Sequence, residues 1–191
     1  MHQLIAVLAQ ARTPTDAVGL ACSHYQSIDH APLTRAFDGF TLATDLETRL
    51  DALPPGAADS GAVRAETDDA QAFLDRLWNQ TQRAQARHLA IVDAAFNRLD
   101  HDQILDNTVI DGVELDPSQP HATDPSSSSE RGSVRDSMRA LGSWQHPCYR
   151  IYDQYGSAVR SPTQYDQLEE TFATDDADEK TWFVVPLDVH Y

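Results

Sequence analysis

Residues Thr67–Leu99, TDDAQAFLDRLWNQTQRAQARHLAIVDAAFNRL, decide the fold, because they carry the strongest local pattern of the chain. Thr67 is a favourable N-cap, and Asp68 and Asp69 follow it where the helix dipole favours negative charge. One face is built at three- and four-residue steps from Leu74, Leu77, Trp78, Ala84, His88, Ile91, Val92, Ala95, Phe96 and Leu99. The pattern predicts one helix over about 68–99, about 48 Å long at 1.5 Å per residue. Such a helix either crosses the whole domain or packs part of its length against a partner.

The residues before this helix predict a βαβ unit. Leu4–Ala9 is a continuous apolar run, typical of a strand buried on both faces. Thr13 is a candidate N-cap, and Pro14 suits the first position of a helix. Apolar and polar residues alternate over 40–46, which predicts a second strand.

The residues after it predict two more strands and a helix. Cys148–Asp153 reads as a strand that ends in the turn Gln154–Gly156, with a short return over 158–160. Ser161 and Gln164 have the spacing of a capping box at a helix start. Trp182–Val185 is the last predicted strand, and Pro186 indicates that it ends, bulges or lies at a sheet edge. The prediction is an α+β fold, with a small mixed sheet of four or five strands and three helices.

The length of 191 residues fits one domain, so we expect residues 1–191 to form a single α+β domain. Residues 116–136 contain three prolines and the run Ser126–Ser129. This composition buries too little apolar surface to order itself, and it predicts a disordered linker or loop.

The charge balance predicts a protein of a salt-loaded cytoplasm. The chain has one lysine, thirteen arginines and 30 acidic residues, for a net charge of -16. So acidic a surface repels itself in dilute buffer, and molar salt relieves the repulsion by shortening the Debye length to about 3 Å. A GC-rich genome also favours Ala, Arg and Asp, but it does not by itself give so large an excess of acid over base.

Several classes of protein are disfavoured. No stretch of 18 apolar residues predicts a membrane span, and the first residues lack the basic region of a secretory signal. Cys22 and Cys148 form no redox or metal-type pair, so we expect buried thiols in a reducing cytoplasm. No basic patch is visible, which disfavours a nucleic-acid partner, although high salt weakens that argument.

The tail resembles a family of small acidic haloarchaeal proteins. Tyr152-Asp153-Gln154-Tyr155-Gly156 is similar to that family's Tyr-Asp-x-x-Gly turn. The segment 182–191, WFVVPLDVHY, is similar to its terminal Trp-Val-Val-Pro-x-Asp-Val-His-aromatic. The resemblance implies habitat and architecture, and it implies no reaction, cofactor or catalytic residue.

Four C-terminal residues are candidate ligands for zinc or another divalent metal: His146, Asp153, Asp188 and His190. Asp188 and His190 are two residues apart, so on a strand they share a face. The competing interpretation is a hydrogen-bonded surface pair, because no ligand spacing matches a known metal motif.

We therefore expect a non-enzymatic protein-binding or accessory module with an unidentified protein partner, no cofactor and no catalytic residue. The long amphipathic helix, the aromatic-rich C-terminal third and the lack of nucleophile or phosphate-binding motifs favour it. The alternative is a metal-dependent hydrolase or nuclease that uses the four candidate ligands.

Overall fold

The computed structural model describes residues 2–26, 39–45, 52–106, 108–113, 130–142, 148–172 and 180–190. The chain forms two compact units. The first unit comprises residues 1–78 and 149–191, and the second comprises residues 79–148.

A mixed sheet of five strands forms the first unit, as the α+β prediction requires. The strands are β1 (His2–Ala11), β2 (Gly39–Leu42), β3 (Val63–Arg64), β6 (Ile151–Asp153) and β7 (Thr181–His190). The order is β2-β7-β1-β6, and β3 also pairs with β7. β7 is antiparallel to β1, β2 and β3, whereas β6 is parallel to β1. The predicted βαβ unit is therefore split, because β7 lies between its two parallel strands.

Helices cover both faces of this sheet. On one face Leu8, Ile151 and Val184 pack with Phe73 and Leu77 of α3 (Asp68–Arg98). The helix α6 (Pro162–Phe172) completes this core, where the ring of Tyr165 stacks on Trp78 with centroids 5.0 Å apart. The alternate residues of β1 are buried on the other face, where α1 (Pro14–Gln26) contacts β1 and β7. Burial on both faces explains why β1 is a continuous apolar run.

Pro186 does not end the last strand, which continues to His190. Ala6 lies opposite Pro186, and its backbone N–H donates to Arg150 on the far side of β1. The nitrogen of Pro186 therefore faces away from β1. On that side β2 reaches only as far as Leu187, and pairing with β3 resumes at Val184. Proline is tolerated because no strand in the described part of the chain pairs with this position and could receive an N–H.

The helix starts agree with the capping predictions. Thr13 Oγ1 accepts the N–H of Asp16, and Thr67 Oγ1 accepts the N–H of Ala70. The capping box before α6 is present, because Ser161 and Gln164 exchange backbone-to-side-chain hydrogen bonds of 3.3 and 3.2 Å. These signals are local in sequence, which explains why pattern reasoning finds them.

The second unit contains the rest of α3 together with α4 (His101–Leu105), α5 (Val134–Gly142) and the antiparallel pair β4 (Val109–Val113) and β5 (Glu130–Ser133). Its core is small and contains Ile91, Ala94, Ala95, Ile110, Val113 and Val134. The side chain of Ile91 packs against Gly132 of β5.

Three features differ from the expected organisation. The helices α4, α5 and the short α2 (Ala57–Ser60) add to the three predicted ones, and β4 and β5 form a second sheet. Of the predicted linker 116–136, residues 116–129 lie outside the described residues. Residues 130–136 form β5 and the first turn of α5, because Gly132 and Val134 have a core to pack against.

None of the described helices has a stretch long and apolar enough to cross a membrane.

Candidate functional site

The pairing of β1 with β7 brings three potential metal ligands together at one end of the first unit's sheet. His2 lies opposite His190, and Leu4 lies opposite Asp188. Directly opposed residues of an antiparallel pair present their side chains on one face, and so do residues two apart on a strand. The imidazoles of His2 and His190 and the carboxylate of Asp188 therefore share a face.

The three side chains are in direct contact. His2 Nδ1 lies 2.6 Å from Asp188 Oδ2, and the two imidazole rings meet edge to face with centroids 4.1 Å apart. One ligand atom from each residue lies within 4.8 Å of the other two. Asp188 is fully buried, His190 is half-buried, and the side chain of His2 is 56% exposed. The cluster therefore has a buried carboxylate at its base and an imidazole open to solvent.

The structure brings together two of the four candidate ligands, Asp188 and His190. Asp153 lies elsewhere, since it pairs with Leu8 near the other end of β1. His146 lies outside the described residues. The sequence argument missed His2, because Asp188 and His190 lie 186 and 188 positions further along the chain and no local spacing relates them to His2.

Asp153 has a structural role in the turn after β6. Its Oδ1 accepts the backbone N–H groups of Tyr155 and Ser157, each at 2.8 Å. Gly156 completes the turn with a φ of 81°, a conformation that favours glycine. The turn borders a cavity of about 240 Å³ between the sheet and α6, which Leu8, Phe172 and Trp182 also line. The carboxylate is thus committed to backbone donors.

The second half of α3 leaves apolar side chains exposed. Leu89 is 56% exposed and Phe96 is 60% exposed, although Phe96 was expected on the buried face. The two are seven residues apart, so they share one side of the helix, with the half-buried Val92 between them. We call Leu89, Val92 and Phe96 the α3 stripe.

Two other motifs have structural roles. His88 is half-buried, and its Nδ1 lies 3.2 Å from Ser137 Oγ on α5. Asp100 caps α4 through a complete capping box with Gln103. His101 is exposed, with Nδ1 3.8 Å from Asp102 Oδ1.

Both cysteines are free thiols. Burial raises the pKa of Cys22 above its ordinary 9.0, and the carboxylate of Asp45 adds to the effect. The Sγ of the buried Cys148 lies 3.9 Å from the carbonyl oxygen of Ala140. A raised pKa keeps Cys22 protonated at neutral pH, which disfavours a nucleophilic role.

A protein-family profile described as Domain of unknown function (DUF7995) matches residues 121–191. The match contains both tail segments of the resemblance and agrees with a family that has no assigned activity. It omits β1, which lies between β6 and β7 in the sheet. No curated protein and no solved structure matches the chain.

Proposed function

We propose that this chain is a non-enzymatic protein-binding module that docks a partner on the α3 stripe. The observation that supports it is the exposure of Leu89 and Phe96 on one side of a helix whose other side is buried. Apolar residues at 89, 92, 96 and 99 follow the three–four spacing by which one helix packs against another. An amphipathic helix that docks on another protein presents its anchors at this spacing.

The stripe has a firm support, because the adjoining side of α3 belongs to the core of the second unit. Ile91 and Ala95 are 1% and 0% exposed and pack with Ile110, Val113 and Val134. The anchors therefore project from a helix that is already fixed, so little conformational entropy of α3 is lost when a partner binds. Full burial of a Leu or Phe side chain is worth about 1.5–3 kcal/mol, so two anchors can supply a large part of a specific affinity.

We infer that the occupant is an amphipathic helix of a different protein with arginine or lysine along its rim. Contact between two copies of this chain would bring two acidic rims together, and charges that meet in a partly buried contact are screened much less by salt than distant ones. Asp93 is exposed beside the stripe, so the rim on this side is acidic rather than basic. Opposite charges that meet at the rim favour this partner, and like charges in the same place disfavour others.

Site-specific photocrosslinking tests this proposal. A benzophenone amino acid replaces Phe96 in the full chain inside its host, and a matched chain carries it at Tyr155, an aromatic that is 65% exposed in the first unit. We expect position 96 to crosslink to one other protein, through a helix with a basic rim, and position 155 not to. The purified pair should then lose about 10- to 100-fold in affinity on Phe96→Glu, and little on Tyr155→Glu.

Three results would reject this site and its partner. The first is crosslinking of position 96 to a second copy of the same chain. The second is that positions 96 and 155 give the same crosslinked products. The third is that position 96 gives no product although circular dichroism shows that the chain is folded. A crosslinked segment that is acidic or not helical would contradict the assigned chemistry of the partner.

The place of action forms part of the same proposal. We propose that the module works in a salt-loaded, haloarchaeal-type cytoplasm. The support is the composition, with 30 acidic residues against a single lysine, and the resemblance of the tail. Molar salt screens the repulsion between exposed carboxylates. It leaves apolar docking intact, because burial of apolar surface involves no charges that salt could screen.

The metal-dependent hydrolase or nuclease stays the alternative prediction. It requires its ligands to surround one ion, and Asp153 is engaged in a turn near the far end of β1 from Asp188. Hydrolysis of a phosphodiester by the purified chain with Zn²⁺ or Mn²⁺, abolished by Asp188→Asn, would favour this alternative over the binding module.

A further inference from the structure

We propose that His2, Asp188 and His190 bind a late first-row divalent metal ion, with Zn²⁺ as the expected ligand. This site lies in the first unit and is independent of the α3 stripe. It differs from the set predicted from sequence, because His2 enters, Asp153 lies near the other end of β1, and His146 lies outside the described residues. The first argument is geometric: three donors from two strands are held within 4.8 Å of one another by the register of β1 and β7.

The burial of Asp188 is a second, independent observation. Among the acidic side chains that the structure describes, Asp188 alone is buried, with an exposure of 0%. An ionised carboxylate removed from water needs compensating positive charge or several hydrogen-bond donors. A dication held between this carboxylate and two imidazoles supplies the charge at the position where His2 Nδ1 now approaches Oδ2 at 2.6 Å.

The donor set selects the kind of metal. Two imidazole nitrogens and one carboxylate oxygen suit Zn²⁺ and its neighbours, whereas Mg²⁺ and Ca²⁺ prefer sites built from oxygen alone. Tetrahedral zinc with bonds of about 2.0–2.1 Å places its ligand atoms about 3.3 Å apart. The donors, now within 4.8 Å, need only small side-chain rotations to reach this arrangement. The histidines are the mobile partners, since the side chain of His2 is 56% exposed while Asp188 is fixed by burial.

The position of the site indicates what the metal does. It joins the first residue of β1 to the last residues of β7, at the end of a pairing of ten residues on each strand. The ion would close the end of the central strand pair, and its binding free energy would stabilise the first unit. With three protein ligands, a fourth position stays open towards solvent on the side of His2.

Cobalt titration of the full-length, untagged chain tests the site. A histidine tag must be avoided because it would add imidazoles near either terminus. We expect one Co²⁺ per chain, with the intense visible bands of four- or five-coordinate cobalt, and displacement of the cobalt by Zn²⁺ but not by Mg²⁺. Zn²⁺ should also raise the thermal midpoint of the wild-type chain.

Two variants make the test specific. His190→Gln should weaken binding by more than the roughly 10- to 100-fold that follows loss of a group that only supports a ligand. His101→Gln is the matched control, because His101 is an exposed histidine beside an aspartate in the second unit, and it should bind like the wild type. Asp188→Asn provides a second ligand variant that retains the volume of the side chain, and circular dichroism checks that each variant folds.

The proposal is overturned if the wild type binds Co²⁺ and Zn²⁺ no more tightly than the folded His190→Gln chain. It is equally overturned if His101→Gln lowers the affinity as much as His190→Gln does, or if the cobalt spectrum is the weak one of six-coordinate cobalt. A failure to bind metal would not affect the docking proposal, because the crosslinking experiment reports on the second unit alone.

Discussion

Replacement of Gly132 by alanine tests whether residues 130–136 are part of a packed core or a linker. A Cβ at Gly132 would lie 2.5 Å from Cδ1 of Ile91, well inside the 3.5–4.0 Å at which carbon atoms pack comfortably. Cδ1 is the end of a flexible side chain, but Ile91 is 1% exposed and belongs to the same buried cluster as Ala94, Ala95 and Val134, so a rotation of this side chain must displace packed neighbours. Overpacking of this kind costs about 1–3 kcal/mol.

A double-mutant cycle isolates this contact. Ile91→Val removes Cδ1 and should cost about 0.5–1.5 kcal/mol alone. The next atoms of Ile91 lie 3.4 and 3.6 Å from the added Cβ, which is ordinary contact. The double variant should therefore be about as stable as Ile91→Val, with a coupling of about 1–2 kcal/mol between the two sites.

Urea unfolding followed by circular dichroism measures the cycle. Each kcal/mol should also shift the thermal midpoint by about 2–4 °C for a chain of this size. Gly142→Ala is the control, because a Cβ there meets no atom within 4 Å. It should be neutral, or stabilising by up to about 1 kcal/mol through the unfolded chain.

Equal stability of Gly132→Ala and wild type, with additive effects in the cycle, would refute the packing of β5 against α3. It would also restore the interpretation of residues 130–136 as a linker. A large cost for Gly132→Ala that Ile91→Val does not relieve would show that alanine clashes with another group.

Four further predictions concern the two units and the conditions in which they fold. Leu77→Ala should lower the free energy of unfolding in urea by about 2.7–5 kcal/mol, because Leu77 is 1% exposed. Leu89 is 56% exposed on the same helix, so Leu89→Ala should change this free energy by no more than about 0.5 kcal/mol. Equal costs would contradict the assigned exposure of the α3 stripe. A peptide of residues 121–191 should lack a folded NMR spectrum, because β6 and β7 do not pair without β1 between them, and a dispersed spectrum would contradict the strand order. Alkylation of Cys22 should reach its half-maximal rate above pH 9.0, because burial and the carboxylate of Asp45 favour the protonated thiol. The folded chain holds this proton more tightly than the unfolded chain, so the stability that the thiol contributes is lost as the pH rises past 9.0. An alkylation midpoint at or below pH 9.0 would contradict the burial of Cys22. The thermal midpoint should rise between dilute buffer and molar KCl, and equal midpoints would remove the halophilic interpretation.

Local chemistry explains which elements were predictable. Thr67 and the apolar period after it define α3 to within a residue at each end, and Ser161 with Gln164 defines the start of α6. Caps and periodicity act between residues three or four apart, so the sequence contains the whole interaction. The same holds for the turn at Asp153, where a carboxylate bonds to N–H groups two and four residues later.

The candidate metal site depends on information that no segment contains alone. Asp188 and His190 could be grouped from their spacing on a strand, but His2 joins them only through the register of β1 with β7. That register results from burying both faces of two apolar strands separated by most of the chain. Many registers bury some apolar surface, and the sequence pattern does not rank them.

The chain by itself therefore determined its charge, the boundaries of α3, the starts of α1 and α6 and the apolar nature of β1 and β7. These features depend on composition and on neighbours close in sequence. Tertiary packing decided which apolar residues of α3 are covered: Ile91 is buried because β5 lies against it, and Phe96 is exposed because its side of the helix is left open. Periodicity identifies apolar residues, but only the elements that pack on them decide whether they form core or surface.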